Sequence, residues 1–349
     1  NGKIYNMSYD VFGRLKTKTI TKTNEPTLSY TYNYDTETNG LGKVASISEA
    51  YSGTSQTFKY DYLGRNNQLT ETNPDNSFTT NYTYNDYGNI TGITYPGGYQ
   101  VTNVYDNLGS LTEVKSGNKS IWKLSTLDYM SHITQYTTAN NTITSTKSFD
   151  AVSGYLNRIQ TGTIFDYSFD FEEATGNLLQ RIDNIRSLTE DFTYDTLDRL
   201  KTITQNGVLN TTMNYEDNGN IQKKSDLSAS DYVYDDPLHP NAVTKVVSAM
   251  GITTGTLSTE YNLFNKINHI GDATGEYDLN FTYGVDQQRI KMETYENNVK
   301  TKTKYYALGY EKEIIPSTRG EKEWNYIMGG DGLAAIYIVN NGTGKLYWI

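Results

Sequence analysis

The sequence predicts an all-β protein: consecutive β-hairpins joined into one continuous, curling sheet. Three observations carry this. A Tyr-Asp motif recurs through the chain. The residues flanking it alternate apolar and polar with period two, the mark of a half-buried strand. The 349 residues hold 32 Tyr against 10 Phe and 3 Trp, and Tyr, like Thr, favours strands.

The repeat justifies the hairpins in order. With the aromatic of each motif as its start, units begin at Tyr9, Tyr34, Tyr60, Tyr84, Tyr105, Leu127, Phe149, Phe169, Tyr194, Tyr215, Tyr234, Tyr261 and Tyr283. The mean spacing is about 23 residues, short for a structural repeat. Within a unit the pattern is Y-x-Y-D-x-x-G-x-L-x-x-I. In Asp10-Val11-Phe12-Gly13, Asp suits the first position of a type I turn and Gly its fourth. The Asp side chain accepts a backbone N–H two residues on, and Gly takes the left-handed conformation of a three-residue hairpin loop. Tyr60, Asp61 and Gly64 repeat the set, as do Tyr105, Asp106 and Gly109. Tyr194 and Asp195 begin a variant in which Asp198 replaces Gly. These eleven are read as structural turn residues.

About thirteen units give roughly twenty-six strands, and an open sheet rarely passes about ten without curling or splitting. The alternative arrangement is a β-propeller, with two units making one four-stranded blade. No stretch of a dozen residues has helical periodicity.

Composition narrows the function. Net charge is −10 and Lys and Arg are scattered, which argues against nucleic acid or an anionic membrane surface as partner. There is no Cys, so disulfides and thiolate metal sites are excluded. No apolar run reaches the ~20 residues of a membrane span, and the first residues are no signal peptide.

The units "YDVFGRL", "YDYLGR", "YNDYGNI", "YDNLGSL" and "YEDNGNI" resemble the YD repeats of the Rhs family, which includes bacterial polymorphic toxins, insecticidal toxin-complex components and the teneurins. Residues 1–325 read as the repeat array, its first unit truncated. Residues 326–349, "YIMGGDGLAAIYIVNNGTGKLYWI", are similar to the start of the Rhs core-associated region. The resemblance implies a spiral shell, secreted or at a bacterial cell surface, that encapsulates or presents a C-terminal effector. The partners it implies are that effector or neighbouring repeats, with recognition of glycans or a cell surface as the alternative role. The D-P-x-G cleavage motif of toxin-bearing members is missing: the one Asp-Pro, Asp236-Pro237, continues as Leu238-His239 and reads as turn chemistry. Gly2-Lys3-Ile4 reads as the tail of an earlier unit, and both ends read as cut from a larger protein.

No catalytic, cofactor or metal site is nominated. The repeated Asp residues lack the spacing of a calcium loop. Glu172/Glu173 and Asp235/Asp236 are adjacent, so on a strand they would point to opposite faces. His132, His239 and His269 are far apart, and His132 reads as a solvated turn residue. A nucleophile elbow is absent, and "GGDGLAA" lacks the Lys of a phosphate-binding loop.

Overall fold

The computed structural model describes residues 2–237, 239–246, 257–272 and 275–349, with 29 strands and no helix among them. They fall into two units. The first joins Asn1–Lys119 to Ser258–Ile349; the second is Ser120–Leu257.

In the first unit ten strands, from Ile4–Tyr9 to Leu111–Ser116, form an antiparallel meander in which each pairs with the next. A second meander of nine strands runs from Leu257–Tyr261 to Thr343–Trp348. Four-stranded blades are absent from these unbroken runs, so the propeller alternative is overturned. Ile4 opens the incoming arm of the first hairpin. Gly329 ends one strand and Gly332 begins the next, so the Gly-rich segment is a hairpin turn.

The core of this unit is thin and aromatic. Ile20, Tyr30 and Leu263 are buried together, with Phe264 and Val285 against them. Phe78 sits between Tyr305 and Tyr310, ring centroids 5.9 and 5.5 Å away. Tyr99 stacks on Tyr337 at 3.9 Å, and the Tyr95 hydroxyl donates to the Tyr326 carbonyl at 2.8 Å. Tyr suits strands that are only partly covered: the ring supplies area and the hydroxyl finds a polar partner.

The second unit is a meander from Lys119–Leu127 to Ile221–Lys224, again with each strand on the next. Trp122 is its largest fully buried side chain. On Phe165–Phe171 four alternate residues are aromatic and share a face: Phe165, Tyr167, Phe169 and Phe171, with successive centroids 4.6, 6.4 and 6.5 Å apart. This corrects one unit boundary. Phe169-Asp170 lies within the strand, Asp170 opposite Gln180; the turn follows Phe171, closed by Glu172 N–H to Asn177 C=O at 2.9 Å. Glu172 is thus a turn residue, not a strand residue. After Ile221–Lys224 the strand pairing of the Tyr234 unit is, among the described residues, an isolated bridge from Val233 to Lys245.

Candidate functional site

The recurring feature is the turn, and the Asp10 turn shows its parts. The Asp10 N–H donates to the Arg14 carbonyl at 2.9 Å and the Gly13 N–H to the Asp10 carbonyl at 3.0 Å. Gly13 has φ 76°, a left-handed value that costs a residue with a Cβ about 1–2 kcal/mol. The Asp10 carboxylate Oδ1 accepts the N–H groups of Phe12 and Arg14, both at 2.9 Å. Oδ2 accepts Arg14 Nε at 2.7 Å. Partial desolvation pushes this carboxyl up, but the Arg14 N–H and guanidinium and the Phe12 N–H outweigh it and hold it below its ordinary 3.8.

Asp61 repeats every contact: Leu63 N–H, Arg65 N–H and Arg65 Nε at 2.9, 2.9 and 2.7 Å, with Gly64 at φ 74°. Asp106 accepts the N–H groups of Leu108 and Ser110 at 2.9 Å, with Gly109 at φ 83° and Ser110 where the other turns have Arg. Asp195 accepts Leu197 N–H, Arg199 N–H and Arg199 Nε, and Asp198 takes φ 58° in place of Gly. Asp128 holds Met130 and His132 N–H, and its Oδ2 meets His132 Nδ1 at 2.9 Å. That corrects the reading of His132: its ring is within hydrogen-bond distance of Asp128 and packed at 4.4 Å on Phe149, so it is not a freely solvated side chain. His239 Nδ1 lies 2.6 Å from Asp236 Oδ2; Leu238 lies outside the described residues.

The turn also opens a bulge. Register shifts between Ser8 and Tyr9, so Leu15 faces Tyr9 with one outgoing residue skipped. The same shift recurs at Tyr34, Tyr60 and Tyr84. At each bulge the carbonyl of the residue facing the aromatic accepts a hydroxyl from the next hairpin's tyrosine. Tyr34 donates to Leu15 at 3.0 Å, Tyr60 to Val44 at 2.6 Å, Tyr84 to Asn66, and Tyr105 to Ile90 at 2.9 Å. Tyr194 donates to Leu178 at 2.8 Å, Tyr215 to Leu200 at 2.9 Å, Tyr234 to Ile221 at 2.8 Å and Tyr283 to Ile267 at 2.6 Å. Tyr9 instead reaches the Met7 Sδ at 3.6 Å.

The residue after the turn completes the tie. The Arg14 guanidinium lies 4.3 Å from the Tyr34 ring centroid, Arg65 4.7 Å from Tyr84 and Arg199 4.4 Å from Tyr215. Arg14 also forks onto both oxygens of Asp35, at 3.0 and 2.6 Å. Asp therefore builds a turn, while Tyr and Arg bind it to the next hairpin. The sequence pattern signals the first role directly. It signals the second only through the recurrence of Tyr where Phe would serve as well for packing. The Asp, Arg and Tyr groups are consumed in these contacts. Among the described residues no group of three or more His, Asp or Glu is placed to hold a metal ion.

A family model described as the teneurin YD-shell matches residues 2–160. Over that stretch the chain resembles the YD-shell family. Solved structures extend the likeness of fold to nearly its whole length. A TcdB2–TccC3–Cdc42 crystal structure is 13% identical with TM-score 0.76, and a Photorhabdus luminescens Tc holotoxin pore has the same two values. TcdB2–TccC3 without its hypervariable C-terminal region is 14% identical with TM-score 0.75. Each covers 98% of this chain, which spans 21% of theirs, about a fifth. At such low identity the likeness is one of fold, and the fold is that of an Rhs-type shell. No curated protein matches the chain.

Proposed function

We propose that this chain is a length of shell wall, without catalysis of its own, in a protein that encloses or presents a C-terminal effector. The carrying observation is the tie between successive hairpins. A Tyr hydroxyl bound to the previous bulge carbonyl sets each hairpin against the last one eight times over, and in three of these, at Tyr34, Tyr84 and Tyr215, an Arg lies on the ring. Such repetition suits a surface extended by adding units, whose stability is a sum of unit and neighbour terms. The shell fold of the toxin complexes supports the same role. On this reading the repeat array ends near residue 325, residues 326–349 begin a core-associated region, and the protein works outside the cell or on its surface.

The test uses the full-length gene product. Limited proteolysis of the intact protein should spare any domain that follows residue 349 and digest it rapidly once the wall is unfolded in denaturant. A following domain cut at the same rate in both states would overturn the proposal.

A further inference from the structure

In the first unit the two meanders meet along a seam, and its acids are treated in two ways. At one position the charge is matched. Asp75, in the turn after Asn66–Thr72, receives the Lys291 ammonium at 3.1 Å and the Tyr305 hydroxyl at 3.3 Å. At the next position two acids share one amide. Glu71, on Asn66–Thr72, accepts the Leu308 N–H of the second meander through Oε2 at 2.8 Å. Asp286, also of the second meander, is held by the Gln288 N–H on Oδ1 at 3.0 Å and by the Gln56 amide nitrogen on Oδ2 at 3.1 Å. Gln56 lies opposite Glu71 in the sheet and hydrogen-bonds to it as well.

No cation joins them. Glu71 and Asp286 line a void of about 10 Å³, with room for about one water, and the described residues of that lining include no Lys, Arg or His. The other titratable group there is Tyr306. On the next strand Glu71 pairs with Phe78, and Tyr82 of that strand has its hydroxyl pushed up to about 12 by burial and then by Glu71. Tyr82 therefore stays neutral near pH 7. Burial pushes the Glu71 carboxyl above its ordinary 4.5; the Leu308 N–H pulls it back in part, and Asp286 pushes it up again. The sign is opposite to that of the turn acids Asp10 and Asp61, which sit low. A raised carboxyl costs stability at high pH, and the cost lifts as pH falls through the raised value towards 4.5.

We propose that Glu71 and Asp286 form an acid-tightened latch between the two meanders: at neutral pH their charges press the seam apart, and a proton on Glu71 lets it close. The Leu308 N–H keeps its acceptor in both states, so the proton changes how tightly the seam is held and not how it pairs. The latch stands independently of the shell reading.

Amide exchange read by mass spectrometry on the full-length gene product tests it, in peptides covering Leu308 and residues 284–288. Between about pH 8 and about pH 5 the turn acids stay ionised, since their carboxyls sit below 3.8. After correction for the intrinsic pH dependence of exchange, protection in the parent should rise about threefold from the higher pH to the lower. Glu71→Gln keeps the acceptor and removes the charge. It should match the acid-state protection of the parent throughout, whatever else in the protein titrates. Should it fail to fold, Asp286→Asn, at an exposed position, decides: the rise should shrink to about half. Protection that falls or stays level in the parent, or that rises equally in a folded variant, would overturn the proposal.

Discussion

Two stretches of the chain close their hairpins with polar-led turns, some one residue longer than others, and differ in how successive hairpins are joined. From Tyr34 to Tyr105 every unit begins with Tyr, and each hydroxyl ties its hairpin to the one before. From Leu127 through Phe149 to Phe171 three successive units begin without one. Their turns are as well made: Asp128 and Asp150 accept backbone N–H groups at 2.7–2.9 Å. Ring contacts stand where the ties would be, His132 on Phe149 at 4.4 Å and Tyr155 on Phe171 at 5.2 Å. One hydroxyl tie returns by another route, Tyr129 at a turn tip donating to the Ala151 carbonyl at 2.6 Å. The comparison separates two jobs that the repeat fuses: Asp and Gly make a hairpin, and Tyr joins hairpins.

Changes to the left-handed glycine, which both stretches use, should hurt most, and equally. Gly64 and Gly154 both have φ 74°. Gly64→Val and Gly154→Val should each cost about 1–2 kcal/mol, read by denaturant melts. A much smaller loss at one of them would mean that its turn adapts.

Changes to the tie should differ in sign. Tyr60→Phe removes a hydroxyl from the Val44 carbonyl and should cost about 1 kcal/mol. Phe149→Tyr places a hydroxyl where the equivalent acceptor is the Ile133 carbonyl and should gain about half of that. Equal losses in the two variants would break the comparison.

The smallest effects should come from the turn carboxyls. Asp61→Ala loses both N–H acceptor contacts and the Arg65 contact, whereas Asp61→Asn keeps the acceptor, as Asn85 and Asn262 do at 2.9–3.1 Å. The Asn variant should therefore melt above the Ala variant. Asp61, Asp128 and Asp195 all sit below their ordinary 3.8, since contacts with N–H groups and basic side chains outweigh desolvation. A lowered carboxyl pKa stabilises the fold above the unfolded value. That contribution should be complete above about pH 5 and drain away as pH falls through 3.8 and below. Thermal melts across pH 2–6 check it, and stability rising on acidification would contradict it.

Much of this was legible in the sequence. Asp10 and Gly13 announce a type I turn closed by a left-handed residue, and Tyr-rich alternation announces strands. The Phe169 boundary was not legible, because Phe169 and Phe171 share a face and periodicity cannot choose between them; the turn acid is Glu172, beyond the Tyr-Asp pattern. The hydroxyl ties were hidden for another reason. Their acceptors are backbone carbonyls 13–19 residues upstream, freed only by the bulge. Contacts between distant hairpins were less visible still, since Gln287 reaches the Tyr30 hydroxyl across 257 positions.

Native-state hydrogen exchange tests most directly the claim that tyrosine hydroxyls join the hairpins, because it reads local opening strand by strand. Backbone amides of Val44–Glu49, Asn66–Thr72 and Ser77–Tyr84, in the tied stretch, should exchange more slowly than those of Ile133–Thr138, Ile143–Phe149 and Leu156–Thr161. Tyr84→Phe should speed exchange at Asn66–Thr72 and Ser77–Tyr84 while leaving Ile143–Phe149 unchanged. Equal protection of the two stretches, or a Tyr84→Phe variant indistinguishable from the parent, would contradict it.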